Sequence, residues 1–313
     1  MQSAILIAGP TASGKSSLAI ELAQALDGVI INADSMQVYR ELRVLTARPD
    51  AREEAAAPHR LYGFVSVAAP YSAARWVDAA LAEIAAVREA GQVPIVVGGT
   101  GLYFQALTEG MAEIPEIPDD TRAAARAKLE ELGPAGLHLL LESQDPVMAA
   151  RLMPTDPQRL VRAYEVLLAT GTSLADWQQR PATTPVLPPP WQGFVLNWPR
   201  AELYRRCDER LAAMLDHGAL DEVAELAAMD LDPALPAMKA LGVPDLLRLN
   251  GGACTRAEAL GAAQQATRRY AKRQMTWFRN KMCSWMALNS QDSERLSEII
   301  IPFISKNQLT APD

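Results

Sequence analysis

The chain has 313 residues, 49% of them hydrophobic, which is enough for one large core with a smaller appended lobe and too much for a single small domain. Its 37 acidic residues outweigh 30 basic ones, and the net charge of −7 argues against a nucleic-acid binder unless the cations are clustered. No run reaches the roughly 20 unbroken apolar residues of a membrane span, and Cys207, Cys254 and Cys283 lie far apart without CxxC spacing, against a disulfide framework or a cysteine-built metal site.

Residues Met1 to Ala8 lack a basic leader and run into a short apolar stretch, so they read as a first strand rather than a signal peptide. A cytoplasmic protein with reduced thiols is expected, working as a monomer. Ala4 to Ala8 is too brief for a helix and ends in Gly9-Pro10, which suits a buried parallel strand. From Ser16 to Leu26, apolar residues at Leu18, Leu22 and Leu26 have helical spacing, with Gly28 as the stop. Val29 to Ile31 and Pro94 to Val97 repeat the buried-strand pattern, and between them Trp76, Leu81, Ile84 and Val87 mark one face of a helix over 72–90. This alternation predicts an α/β fold: a parallel sheet with helices on both faces.

After Gly110 the strand-like runs stop, and Ala/Leu/Arg/Glu stretches continue to the proline-rich segment 181–190. We read 116–190 as a helical insertion in a core made of 1–115 and 191–288. Inside it, Asp156-Pro157 supplies an N-cap and a proline at the first helical position, and the pattern runs through Leu160, Tyr164 and Leu168 to Gly171. Phe194 to Leu196 returns to the sheet. The rest, to about Leu288, reads as helical, with Leu203, Leu211 and Leu215 on one stripe, and the tail 289–313 carries no assigned role.

Gly9-Pro10-Thr11-Ala12-Ser13-Gly14-Lys15-Ser16 matches the phosphate loop G-x-x-x-x-G-K-[ST], placed after a strand and opening a helix as the motif requires. Loop N–H groups and the helix N-terminus form a positive concavity, Lys15 adds a point charge, and the Ser16 hydroxyl suits Mg²⁺. Any di- or triphosphate fits such a loop, so nucleotide-binding kinases, NTPases and diphosphate-leaving transferases share it. Asp34, after the second strand, should face the phosphate crevice beyond the carboxyl ends of the strands, where it holds Mg²⁺ or takes a proton; the alternative is a helix cap. In Gly98-Gly99-Thr100-Gly101 the glycines serve either a tight turn or close approach of a ligand, and Thr100 offers a hydroxyl.

The cations are unevenly spread. Arg268, Arg269, Lys272, Arg273, Arg279 and Lys281 follow one another with no acidic residue between, interleaved with Tyr270, Trp277 and Phe278, as either a solvated helix face or a nucleic-acid contact. Arg206 and Arg210 share a helix face by their i, i+4 spacing; they either reach the phosphate site or pair with acidic neighbours such as Glu202.

In order along the chain, seven blocks resemble the bacterial tRNA dimethylallyltransferase (tRNA isopentenyltransferase) family: the phosphate loop 9–16, Ile31 to Tyr39, Thr46 to Pro49, Pro58 to Leu61, Gly98 to Phe104, Asp156 to Val166, and Tyr270 to Arg279. Ser16, Arg48 and Arg60 stand where other members carry threonine, lysine or histidine, changes that keep hydroxyl or cationic character. The resemblance implies transfer from dimethylallyl diphosphate to N6 of the adenosine 3′ of the anticodon, with Mg²⁺ required and diphosphate released. It implies a phosphate-loop core with a helical insertion that grips the anticodon stem-loop, the target base being flipped out of its stack into a channel between the two. By the same resemblance Asp34 is the general base, Thr100 contacts the adenine, and Arg206 and Arg210 reach the diphosphate. The implied tRNA contacts are Asp34, Ser35, Met36, Gln37, Thr100, Arg122, Gln158, Arg159, Leu160, Val161, Arg162, Arg268, Lys272 and Arg273. A small-molecule or nucleoside kinase, using Asp34 to activate a hydroxyl, is the competing reading.

Overall fold

The computed structural model describes residues 3–112, 114–180, 182, 184, 186–289, 297–298 and 300–302. Their strands are β1 (Ala4–Ala8), β2 (Gly28–Asn32), β3 (His59–Arg60), β4 (Val93–Gly98), β5 (Trp191–Asn197) and β6 (Met286–Asn289). They form one sheet in the order β3-β2-β4-β1-β5-β6, every pairing parallel. The helices are α1 (Lys15–Leu26), α2 (Ala51–Ala56), α3 (Ala73–Glu89), α4 (Gly101–Glu109), α5 (Asp119–Gln144), α6 (Pro146–Ala149), α7 (Pro157–Thr170), α8 (Leu174–Trp177), α9 (Arg200–Asp216), α10 (Ala219–Ala228), α11 (Val243–Asn250) and α12 (Arg256–Lys281).

A parallel sheet covered on both faces needs strands apolar throughout, and β1, β2 and β4 are buried along their whole lengths. Ile5, Ile7, Ile30, Ile95 and Phe194 pack with Leu18 and Leu22 of α1 in the principal core. α3 starts where Ser72 accepts the Arg75 N–H, and it buries Trp76, Val77, Ala80, Ile84 and Val87, leaving Leu81 half-buried at the margin of that face. The Trp76 indole N–H donates to the Asn32 carbonyl at 2.8 Å, which fastens the helix to the end of β2.

Compactness divides the chain into two units, Met1–Thr108 with Val186–Asp313 and, separately, Glu109–Pro185. These bounds lie a few residues before the 116 and 190 expected from texture; at the second, the chain is already back in the first unit at Leu187, whose N–H donates to the Leu107 carbonyl at 2.8 Å. The second unit is helical, α5 to α8. Its α7 begins as expected, with the Asp156 side chain accepting the Arg159 N–H and Pro157 in the first turn, and it ends on Gly171 at φ 65°. Its buried face is Leu160, Ala163, Tyr164 and Val166, whereas Leu168 is exposed.

The expectation of continuous helix to Leu288 is corrected. Met286–Asn289 is a strand paired to β5, Phe194 opposite Met286 and Asn197 opposite Asn289. Four residues are too few to show a period against the long helix before them. Of the tail, Ile300 is fully buried in the principal core, and 290–296, 299 and 303–313 lie outside the described residues. No described helix is long and apolar enough to cross a membrane.

Since Gly98 ends β4 against the Ala33 backbone, where an added Cβ would overlap the Ala33 carbonyl, Gly98→Ala should destabilise the core unit by about 1–3 kcal/mol, the range for overpacking. Chemical denaturation that leaves the midpoint unchanged would refute this packing account.

Candidate active site

The phosphate loop connects β1 to α1, and Gly14 at φ 83° turns it into the helix with no side-chain cap on the first N–H groups. Those groups therefore remain available to an anion. The loop's carbonyls are tied elsewhere. Arg206 Nε donates to Ala12 O at 2.9 Å, Trp198 Nε1 to Ser13 O at 2.8 Å, Cys207 Sγ to Thr11 O at 3.8 Å, and Lys15 Nζ to Pro10 O at 3.4 Å. Arg210 donates to the Thr11 hydroxyl, and the Arg206 guanidinium lies over the Trp198 ring, 4.4 Å from its centroid. Pairing of Arg206 or Arg210 with Glu202 does not occur. Glu202 and Glu209 both bind Arg205, which frees the other two arginines for the loop.

Asp34 follows β2 in a turn, not a helix, so the capping alternative has no helix to cap. Asn32, fully buried, holds the turn: its Oδ1 accepts the Asp34 N–H at 2.8 Å, and its Nδ2 donates to Asp34 O and Leu61 O, both at 3.0 Å. Asp34 Oδ1 accepts the Met36 N–H at 3.0 Å. Burial, and secondarily the Asp34 charge, push the phenols of Tyr62, Tyr103 and Tyr270 above their usual range. Thr100 takes the Ser35 N–H on its hydroxyl at 2.9 Å and is also hydrogen-bonded to the Tyr270 side chain. Gln37 Nε2 donates to Thr46 O and Ala47 O at 2.8 and 2.9 Å.

The glycines after β4 prove to be packing glycines. A Cβ on Gly99 would strike the Gln274 amide, and one on Gly101 the Trp277 ring. Gln274, buried on α12, is the residue sequence reasoning missed: its Oε1 accepts the Thr11 N–H at 2.9 Å and its Nε2 donates to Gly99 O at 2.8 Å. One amide thus joins the phosphate loop to the loop after β4. Its signal was an uncharged, hydrogen-bonding residue among the cations of 268–281.

The cationic helix is not one continuous free face. Arg268 forms an ion pair with Asp208 of α9, its Nη1 donating to both carboxylate oxygens at 2.7 Å, which ties the two helices together. Lys272 and Arg273 are exposed, and Arg273 lies 5.5 Å from the Tyr270 ring centroid. In the helical unit, Gln158 and Arg159 are exposed; Arg159 approaches Asp156 at 3.3 Å, and Arg162 approaches Glu165 at 3.5 Å. Leu160 is fully buried and Val161 packs against the same core, so these two hold the helix while its polar residues face out. Arg122 donates from Nε to Ile117 O at 3.1 Å.

Two spaces flank the phosphate loop. A cleft of ≈ 660 Å³ is bordered by Ala12 to Ser17, Arg48, Arg206 and Arg210. A cavity of ≈ 210 Å³ is bordered by Thr11, Asp34, Tyr270 and Arg210, with Leu45, Leu211 and Met214 as an apolar wall. Arg210 belongs to both. Burial lowers the Lys15 ammonium to about 8; Asp34 opposes that shift and Arg210 adds to it.

The profile of the IPP transferase family matches residues 37–281, and that of isopentenyl transferase residues 2–65. A tRNA dimethylallyltransferase of Rhodopseudomonas palustris is 53% identical over 300 residues, covering 96% of this chain and 93% of its own. The crystal structure of tRNA delta(2)-isopentenylpyrophosphate transferase from Staphylococcus epidermidis is 33% identical with a TM-score of 0.70, covering 98% of this chain and 100% of that one. A eukaryotic dimethylallyltransferase captured acting on tRNA is 25% identical with a TM-score of 0.81, covering 100% of this chain and 81% of that one.

An anion is held best by charged Lys15, so affinity for inorganic diphosphate should fall as pH rises through about 8. Lys15→Arg, which stays charged, should flatten that part of the calorimetric profile left after the ligand's own ionisation; identical profiles for the two proteins would contradict the Lys15 assignment. Gln274→Ala leaves the Thr11 N–H and Gly99 carbonyl unpaired, and diphosphate affinity should drop about tenfold, the equivalent of ~1.4 kcal/mol.

Proposed function

Because the chain belongs to the IPP transferase family, we propose that it moves the dimethylallyl group of dimethylallyl diphosphate onto N6 of the adenosine 3′ of the anticodon in tRNA, in the cytoplasm. The observation that carries this reading is that Asp34 shares a partly apolar cavity with Thr11 and Arg210, while the anion-binding turn of the loop borders the cleft beyond. A leaving group on the cleft side and an acceptor on the cavity side put the attacked carbon between them.

An exocyclic adenine amine is a poor nucleophile, its lone pair being delocalised into the ring. As N6 forms its bond to C1 of the prenyl group, C1–O breaks, the electron pair leaves on the diphosphate, and the amine proton passes to Asp34. The growing diphosphate charge is met by the N–H groups opening α1, by Lys15 and by Arg210, all in place before reaction. Asn32 and the Met36 N–H fix the carboxylate's turn.

The donor set suits Mg²⁺. Ser16 offers one hard oxygen beside Lys15 in the cleft, and no cluster of three or more His, Cys, Asp or Glu stands ready for a metal among the described residues. Ser16 would hold such a small, strongly hydrated cation, which when bound would supply further charge for the leaving diphosphate. A kinase would share the loop and Lys15, but it would have no use for the Leu45, Leu211 and Met214 wall, against which a prenyl group can pack beside the acceptor.

Incubation with labelled dimethylallyl diphosphate and unmodified tRNA should place label in RNA; consumption of ATP in step with product would instead favour phosphoryl transfer. Asp34→Asn should slow transfer by roughly 10² to 10⁴-fold while tRNA affinity stays near normal, and near-normal turnover in that variant would remove Asp34 as the base.

For tRNA, the exposed pairs of Arg159 and Arg162 are weak and readily exchanged for phosphates. Arg159→Ala with Arg162→Ala, and Lys272→Ala with Arg273→Ala, should each flatten the slope of log affinity against log salt by about 0.7–0.9 per lost contact. Arg268→Ala should leave the slope alone because its charge is spent on Asp208; a slope change there with none in the two doubles would reverse the footprint.

A further inference from the structure

Glu222, in the first turn of α10, borders neither the cleft nor the cavity. Its carboxylate accepts three consecutive backbone N–H groups from the loop after β2: Arg43 and Val44 at 2.6 Å on Oε2, and Leu45 at 3.0 Å on Oε1. Such a cluster of N–H donors is a small anion nest filled by a side chain of the protein itself. The loop so held supplies both walls of the site: Leu45 and Thr46 line the cavity, and Arg48 lines the cleft.

Arg48 is itself half committed. Its Nη1 donates to Tyr39 O and Arg40 O, both at 2.9 Å, its guanidinium lies where a Cβ on Gly63 would collide with it, and its Nε is buried without a partner. That Nε is closed off from the cleft, but Arg48 also borders the cleft, and a planar, permanently charged guanidinium beside a phosphate-binding turn is suited to an oxyanion. Gln37 fixes the loop from its carbonyl side at Thr46 and Ala47, so the N–H side held by Glu222 is the complementary restraint.

We propose that Glu222 is a positioning residue for the donor: by clamping residues 43–45 it sets Arg48 against the phosphate cleft, and Arg48 contacts the donor's diphosphate. This rests on the prenyl-transfer reading only for the identity of the donor. The probe is therefore inorganic diphosphate, whose binding requires no reaction.

Calorimetry on the full chain should compare wild type, Glu222→Gln, Arg48→Ala and the double variant. A glutamine cannot accept on both oxygens and turns an amide toward N–H groups, so Glu222→Gln should weaken diphosphate about tenfold, equivalent to ~1.4 kcal/mol. Arg48→Ala should do the same, and the double variant should lose no more than Arg48→Ala alone, since both act through one contact. A purely structural Glu222 would lower the melting temperature and leave the dissociation constant untouched, or give additive losses; either result overturns the proposal. If Glu222→Gln does not fold, Glu222→Asp, which keeps the charge but falls one methylene short of the nest, carries the same expectation. In turnover the weakening should appear in KM for dimethylallyl diphosphate rather than in kcat. Wild-type protein that binds diphosphate but puts no label into tRNA would refute the prenyl-transfer reading and leave the clamp to be judged by the binding data.

Discussion

A loop that offers its N–H groups to an anion must do something else with its carbonyls, and the surrounding structure is organised by that need. Four successive carbonyls, of Pro10, Thr11, Ala12 and Ser13, are satisfied by Lys15, Cys207, Arg206 and Trp198, three of them from the segment that leads into and forms α9. A buried carbonyl left unmatched costs a good part of a kcal/mol or more, and four would leave the loop free to turn over and point the wrong dipoles at a phosphate. The arginines of α9 thus shape the loop as well as contributing charge to it. This explains why α9 packs against α12 through a small core of Leu203, Cys207 and Ala271 rather than standing alone on the sheet.

The second dependency runs crosswise, between the loops that follow β1, β2 and β4. Asn32 ties Asp34 to Leu61, Thr100 ties Ser35 to Tyr270, and Gln274 ties Thr11 to Gly99. Each link is a neutral side chain bonding backbone or hydroxyl, so the site is braced without further charges close to Asp34. Burial holds the phenols of Tyr62, Tyr103 and Tyr270 neutral, so none of them adds an anion to compete with Asp34.

Much of this was legible because it is written locally. The strand, loop and helix from Ala4 to Leu26 follow from an apolar run, a glycine motif and a 3.6-residue period, and Asp156-Pro157 to Gly171 announces both ends of α7. What escaped depends on partners distant in sequence. Nothing near Gly98 to Gly101 tells that its glycines admit Ala33, Gln274 and Trp277. Nothing near Arg268 tells that Asp208 will neutralise it, because that pair is fixed by the crossing of two helices. β6 escaped because four residues carry no period, and its assignment comes from pairing with β5. Leu160 was placed among RNA contacts by belonging to a motif, although its own period puts it on the buried face.

The bond between Thr11 and Gln274 spans 263 positions of the chain. The ribosome makes these two ends many seconds apart, at about 5–20 residues per second. β1 lies between β4 and β5 in the sheet, so its loop is not set until both are made, and the braces from α9 and α12 come later still. The phosphate loop therefore acquires its finished shape only as α12 docks, whatever the order in which the earlier elements assemble.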